Sequence, residues 1–151
     1  MNKKRMNSNS ENPTIGAEFQ NAVADWFREK YDMPFETEKK IPIGTSATNK
    51  KDHKFDIVSS DNSIAIECKC YTWTVTGNVP SAKMGFVNEA AFYLSFLPES
   101  YKKYIVMLYA KHDKRNETLA EYYYRTNKHL IGSTKVAEFD PVTKLFRIVG
   151  E

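Results

Sequence analysis

The residues best suited to chemistry in this sequence are Asp56, Glu67 and Lys69, which lie on either side of a cluster of serine, aspartate and asparagine. Apolar and β-branched residues flank that cluster, a pattern that predicts a β-hairpin with a two-residue turn at Asp61–Asn62. In this register Asp56 lies opposite Glu67, with Cβ atoms about 5 Å apart. Because like charges directly opposite one another are destabilising, the pair requires a compensating cation.

Two carboxylates are hard oxygen ligands that suit Mg²⁺ or Mn²⁺, and they leave coordination positions open for water and for a phosphate. A metal held by Asp56 and Glu67 would lower the pKa of a bound water and polarise the phosphate. Lys69 is two residues beyond Glu67 and therefore lies on the same face of the strand, where it could orient that water or stabilise negative charge. The pattern indicates metal-dependent hydrolysis of a phosphodiester.

An aspartate followed about ten residues later by Glu-x-Lys resembles the active-site hairpin of the PD-(D/E)XK nucleases, the restriction-endonuclease-like superfamily. The matching residues are Asp56 and Glu67-Cys68-Lys69, and Phe55 stands where the name-giving proline would be. The resemblance implies a Mg²⁺- or Mn²⁺-dependent endonuclease that acts on DNA rather than RNA. It also implies two further metal ligands, the backbone carbonyl of Cys68 and a glutamate near the start of the first helix, here Glu18.

Three predicted helices help to position these residues. Asn12–Pro13 opens the first, Pro80–Ser81 opens a second that runs to about Leu97, and Asn116 caps a third. The stripe of apolar residues that the first helix is predicted to bury consists of Ile15, Phe19, Ala22, Val23, Trp26 and Phe27. Glu18 lies at the edge of this stripe, where an exposed helical glutamate is the alternative to a metal ligand.

Strands are predicted at residues 35–43, in the central hairpin, at residues 104–110 and in a final hairpin over residues 135–149. Alternation places one apolar set on the buried face of the central hairpin: Phe55, Ile57, Ile64, Ile66 and Cys68. The fold class is therefore α/β with a mixed sheet. By the resemblance, it contains the αβββαβ core of the superfamily with an extra helix and a C-terminal β-hairpin.

A basic segment directly precedes Asp56. Residues 44–54 are predicted to form a polar loop that contains Lys50, Lys51, His53 and Lys54. If the substrate is nucleic acid, these residues are candidate phosphate contacts, and Lys83 near the start of the second helix is another. Solvent-exposed charges are the alternative for each of them. His53 has no partner at zinc-site spacing and is interpreted as a residue on the surface or on the substrate side.

Composition sets the remaining limits. The chain has 151 residues, a net charge of +3 and a pI near 8.7, which predict one domain, residues 13–151, preceded by a disordered tail at residues 1–12. No apolar run is long enough to span a membrane. Cys68 and Cys70, one residue apart on a strand, are interpreted as reduced core residues of a cytoplasmic protein.

Two alternatives to an active nuclease remain open. The first is a catalytically silent nuclease-like module that binds nucleic acid or a protein. The second is an α/β interaction domain in which the charges of Asp56, Glu67 and Lys69 form a surface ion-pair cluster. Retention of all three residues favours the enzyme. Cleavage of both strands of a duplex would suggest a homodimer.

Overall fold

A computed structural model describes residues 13–151 of the chain, with side chains from residue 15 onward. The tail predicted at residues 1–12 lies outside the described residues. The elements of the described chain follow one another as α1 (Pro13–Tyr31), β1 (Phe35–Ser46), β2 (Asn49–Ser59), β3 (Ile64–Lys69), α2 (Ser81–Leu94), β4 (Lys102–Leu108), α3 (Leu119–Asn127), β5 (Lys135–Phe139) and β6 (Phe146–Ile148). Their order is the one that the sequence predicts.

The six described strands form one mixed sheet, in the spatial order β1 to β6. The strands β1, β2 and β3 are antiparallel neighbours, β3, β4 and β5 run parallel, and β6 returns antiparallel to β5. The helices α2 and α3 make the connections that parallel neighbours require. Six of the seven residues of β4 are buried, which accounts for the continuous apolar run of this central strand.

The sheet has an apolar core on each face. On one face, Phe19, Val23 and Phe27 of α1 pack against Ile57 and Ile66. On the other face, α2 and α3 cover a second core that includes Phe55, Val58, Ala65, Val87, Leu94, Leu119 and Tyr123. Burial of each large apolar side chain stabilises the fold by about 1.5–3 kcal/mol. The strand β3 is thus held between two cores.

The prediction of a polar loop at residues 44–54 is wrong. This segment forms the end of β1 and the first half of β2, which pair as a long two-stranded ribbon. A Cβ at Gly44 would lie 1.9 Å from the carbonyl oxygen of Asn49, so glycine is needed where the strands approach. Most side chains of residues 44–54 are exposed, so this segment lacks the alternation of apolar and polar residues that would predict a strand. The ribbon's second strand therefore carries Lys50, Lys51, His53 and Lys54.

Strand alternation breaks at Asp56. Phe55 belongs to the core under α2 and α3, whereas Ile57 belongs to the core under α1. The prediction that these two side chains share a face is therefore wrong. Glu38, which is opposite Asp56 in the register of β1 and β2, has a positive φ of 54°. This irregularity turns the two strands at the position of the candidate aspartate.

The third helix begins later than predicted. Thr118, rather than Asn116, is the N-cap of α3, and its hydroxyl accepts the amide of Glu121 while the Glu121 carboxylate accepts the amide of Thr118. This capping box satisfies two backbone donors at the helix start. None of the described helices is long and apolar enough to cross a membrane.

Candidate active site

The hairpin of β2 and β3 has the predicted register, with Ile57 paired to Ile66 and Val58 paired to Ala65. At the next position the side chain of Asp56 enters the ladder, and its Oδ2 accepts the amide of Cys68 at 2.8 Å. The carboxyl group of Asp56 is thereby fixed between the two strands, beside Glu67.

The turn between the two strands sets this register. Asn62 adopts a φ of 57°, as expected for a residue that tolerates the left-handed region. The hydroxyl oxygen of Ser59 accepts the amides of Ser63 and Ile64, each at 2.9 Å. These local bonds begin β3 at Ile64, and Glu67 consequently lies level with Asp56.

Asp56 and Glu67 form a carboxyl pair in which Glu67 is buried and Asp56 is half-buried. Glu67 is only 6% exposed, and burial, followed by the charge of Asp56, raises the pKa of Glu67 to about 9. Burial likewise raises the pKa of Asp56. Because the pKa of Glu67 is raised well above neutrality, one of the two carboxyl groups is protonated at pH 7 when no cation is bound. Protonation of one group offsets the repulsion between them.

Lys69 lies within electrostatic reach of both carboxyl groups. Its charge opposes the effect of burial and lowers the pKa of both Asp56 and Glu67. The lysine is partly buried at the end of β3. The fold thus brings together the three residues that the sequence singles out, and Glu67 is buried rather than solvated.

A fourth residue of the site is His53, which the sequence predicts as a surface or substrate-side residue and a candidate nucleic-acid contact. Its Nε2 lies 3.4 Å from Oε1 of Glu67, and neither of these buried atoms has a hydrogen-bond partner in the described structure. The imidazole stacks on Tyr93 at 3.9 Å and meets the edge of Phe55 at 4.5 Å. Burial lowers the pKa of His53, so the ring is neutral at pH 7. The sequence did not predict this contact, because the direction of the His53 side chain is set by its position in β2 and the segment was predicted to be a loop.

Two further acids act on the site. The charge of Glu38 raises the pKa of Asp56, and the charge of Glu89 raises that of His53 against the larger effect of burial. Glu38 also lies 3.7 Å from Nζ of Lys54. No sequence signal singled out Glu38, since its proximity to Asp56 follows from the pairing of β1 with β2. The rim of the site is consequently more acidic than the hairpin alone implies.

Glu18 lies on the exposed side of α1, and its charge is felt at Cys70, directly after β3. Burial first, and then the charge of Glu18, raises the pKa of the Cys70 thiol to about 11. Burial also raises the pKa of Cys68. Both cysteines are free, pack towards α1 as predicted, and hold neutral thiols. Metal ligation by Glu18 and by the Cys68 carbonyl stays a prediction.

The basic residues fall into two groups. Lys50, Lys51 and Lys54 project from the β1–β2 ribbon and are exposed. Lys83, in the first turn of α2, has its Nζ 5.5 Å from the ring centre of Tyr71 and 5.6 Å from that of Phe86. Tyr71 follows the end of β3, so Lys83 lies on the α2 side of the candidate site. Contacts of these residues with nucleic acid stay predictions.

The donor set fits a sparsely held hard cation. Among residues 13–151, no group of three or more histidine, cysteine, aspartate or glutamate side chains is arranged to hold a metal ion. The site offers two carboxyl groups, and one oxygen of Glu67 lacks a protein partner. Mg²⁺ is commonly bound by one or two carboxylates, with water and substrate phosphate in its other positions. The residues present therefore fit such an ion.

Comparisons of this chain with protein-family models, with curated proteins and with solved structures found no significant match. The geometry of the site and its electrostatics therefore carry the functional argument.

Proposed function

We propose that this protein is a metal-dependent nuclease that hydrolyses phosphodiester bonds, with DNA favoured over RNA as the substrate. The observation that carries the proposal is the position of two acids on neighbouring strands: Asp56 of β2 bonds to the amide next to Glu67, which is only 6% exposed on β3. Burying one of two neighbouring carboxyl groups costs free energy, and no structural role explains that cost. A divalent cation held by the two groups would offset it.

Each residue has a distinct role in this reaction. Asp56 and Glu67 would hold Mg²⁺ or Mn²⁺, which supplies an activated water and polarises the phosphate. Lys69, on the same face of β3 as Glu67, orients the attacking water or stabilises charge that develops on the phosphate oxygens. His53, whose Nε2 lies 3.4 Å from Oε1 of Glu67, would help to orient that carboxylate for the metal. Glu18 and the Cys68 carbonyl are the remaining candidate ligands.

The surroundings of the site are compatible with a polyanionic substrate. Exposed lysines lie on the β1–β2 ribbon, Lys83 lies in the first turn of α2, and the chain is basic overall, with a pI near 8.7. The order of helices and strands and the mixed sheet match those that the resemblance to the restriction-endonuclease-like superfamily implies. We therefore also propose that the chain has the restriction-endonuclease-like fold.

The test is cleavage of a panel of labelled DNA and RNA substrates, single-stranded and duplex, with Mg²⁺ or Mn²⁺. The wild type is compared with Asp56→Asn and Lys69→Met, and with Lys102→Met as a matched control. Lys102 is exposed at the start of β4, next to Ile64 and far along β3 from Lys69. We expect metal-dependent cleavage that the first two substitutions reduce at least about 100-fold and the control leaves unchanged.

The alternative results are informative. Absence of cleavage across the panel, together with nucleic-acid binding that survives both substitutions, would contradict the nuclease and support a catalytically silent binding module. Cleavage that persists in Asp56→Asn would place the active site elsewhere in the chain.

A further inference from the structure

The solvent side of α2 carries aromatic side chains that the core does not use. Phe86 is 42% exposed and Phe92 is 61% exposed. Phe92 meets the ring of Phe96 edge to face, with ring centres 5.0 Å apart. Exposed aromatic residues that cluster on one element mark a binding surface more often than scattered apolar residues do. Phe92 and Phe96, at the end of α2 and just beyond it, lie on the side of the sheet that holds the candidate site, because the adjacent Tyr93 stacks on His53.

A pocket of about 360 Å³ opens between this end of α2 and the β1–β2 ribbon. Tyr93 and Phe96 line it from the helix side, and Ile43 and Gly44 line it from β1. Three residues of β2 complete the lining: Lys51, Asp52 and His53. The pocket therefore combines aromatic and apolar walls with one cation and one carboxylate, which could accept hydrogen bonds from a base.

The position of this pocket links it to the candidate site. His53 is a member of both, since it lines the pocket and lies 3.4 Å from Glu67. A ligand in the pocket is thus separated from the carboxyl pair by the width of one side chain. Lys51 is exposed and lines the pocket. A phosphate chain that passes the carboxyl pair could place an adjacent base in the pocket and an adjacent phosphate on Lys51.

We infer that the pocket bounded by Tyr93 and Phe96 binds one unpaired nucleobase of the substrate strand. The inference rests on the proposed nuclease function for the identity of the substrate. Bases within a continuous duplex have their faces covered by their neighbours, so an aromatic pocket takes a base only from a single strand, a flap or a bulge. The protein therefore prefers single-stranded nucleic acid, or unpaired nucleotides next to a duplex, over a continuous duplex.

The test measures binding separately from cleavage. Fluorescence anisotropy with EDTA present gives the affinity of the full chain for a labelled single strand and for the blunt duplex of the same sequence, as DNA and as RNA. The variant is Phe96→Leu, which keeps an apolar side chain and removes the aromatic face. The control is Tyr109→Leu, at a partly exposed aromatic residue whose amide bonds to Phe139, on the β5 side of the sheet. Thermal melting checks that both variants fold.

We expect the wild type to bind the single strand at least about 10-fold more tightly than the duplex. Phe96→Leu should weaken single-strand binding about 10-fold, since stacking of a base on an aromatic ring is a large part of such affinity. Tyr109→Leu should leave it unchanged, and neither variant should alter duplex binding. A folded Phe96→Leu variant that binds the single strand as well as the wild type does would overturn the inference.

Failure of this inference and failure of the nuclease proposal are distinguishable. Metal-dependent cleavage of a duplex, without preference for single strands, would overturn the base pocket and leave the nuclease proposal standing. Single-strand binding that depends on Phe96, without cleavage under any metal condition, would support the pocket and contradict the nuclease. Tight binding of a protein in place of nucleic acid would overturn the pocket as a base site.

Discussion

Two buried glutamates on the same face of the sheet have opposite surroundings. Glu138 of β5 is 4% exposed and Glu67 of β3 is 6% exposed. Oε1 of Glu138 accepts the hydroxyl of Thr118 at 2.6 Å, and Oε2 accepts Nε of Arg147 at 3.0 Å. The guanidinium also contacts Glu121 at 3.1 Å, which joins β5, β6 and the start of α3. Every oxygen of Glu138 is thus used to hold the fold together.

Glu67 lacks such a complete set of partners. Its nearest charged neighbours include another carboxyl group, Asp56, and its Oε1 has no hydrogen-bond partner in the described structure. Buried polar groups in folded proteins are almost always paired, so an unpaired carboxyl oxygen next to a second acid requires another explanation. Hydrogen-bond partners, rather than burial, therefore distinguish a structural glutamate from a candidate metal ligand.

The largest effect that we predict is on cleavage. Glu67→Gln should reduce metal-dependent cleavage at least about 100-fold, because an amide holds a divalent cation poorly and the site loses one of its two charges. Glu138→Gln should retain cleavage within about 3-fold when measured below its melting temperature. Initial rates on the best substrate of the panel measure both. Equal losses in the two variants would mean that the two glutamates do not differ in function.

The second prediction reverses the comparison. Glu138→Gln should lower the free energy of unfolding by about 2 kcal/mol, because Arg147 loses one of its two charge partners and the charge-assisted bonds to a buried carboxylate are weakened. Arg147 is about half exposed, which limits the loss, since water can reach the guanidinium. In the metal-free protein Glu67→Gln should cause no loss. Urea denaturation in EDTA measures both, and destabilisation by Glu67→Gln beyond that of Glu138→Gln would contradict this assignment.

The third prediction concerns His53. Since it contacts Oε1 of Glu67, His53→Ala should weaken Mn²⁺ binding about 10-fold, while His53→Gln, which retains a hydrogen-bond donor, should recover part of that affinity. Isothermal titration of Mn²⁺ into each variant provides the measurement. The control is His129→Ala, at an exposed residue after α3. Equal Mn²⁺ affinity in all of these proteins would remove His53 from the site.

The fourth prediction is a pH dependence of stability in the metal-free protein. The folded-state pKa of Glu67, about 9, lies above its ordinary value, so the folded state binds more protons than the unfolded state between about pH 4.5 and 9. Stability from this group is complete below that range and is lost as the pH rises through it. Glu67→Gln should therefore gain stability relative to the wild type between pH 5 and 8. Urea denaturation in EDTA at each pH checks this. A difference in stability between Glu67→Gln and the wild type that stays constant with pH would contradict the raised pKa of Glu67.

Much of the fold could be predicted because its signals are local. The apolar stripe of α1, the continuous apolar run of β4 and the turn at Asn62 each belong to one stretch of sequence, and the structure confirms all three. The extension of β1 and β2 through residues 44–53 could not be predicted in this way. The backbones of the two strands pair there, but most of the side chains are exposed, so the sequence shows a polar segment without strand periodicity.

The residues of the candidate site also differ in whether local sequence signals predict their positions. Asp56, Glu67 and Lys69 could be placed together from the register of one hairpin, which the pairing of Ile57 with Ile66 confirms. His53 could not be placed, because its contact with Glu67 depends on the ribbon that the sequence does not reveal. The break in alternation at Asp56 was also hidden, since it depends on the positive φ of Glu38 in the neighbouring strand.

The most direct test of the central claim is Mn²⁺ binding measured by electron paramagnetic resonance at pH 7.5 on three proteins: the wild type, Glu67→Gln and Glu138→Gln. We predict that the wild type and Glu138→Gln bind one Mn²⁺ with equal affinity. Glu67→Gln should not bind Mn²⁺, because the carboxyl groups of Asp56 and Glu67 together hold the metal. Equal Mn²⁺ binding by all three proteins, or binding by none, would contradict the claim that Asp56 and Glu67 form a metal site.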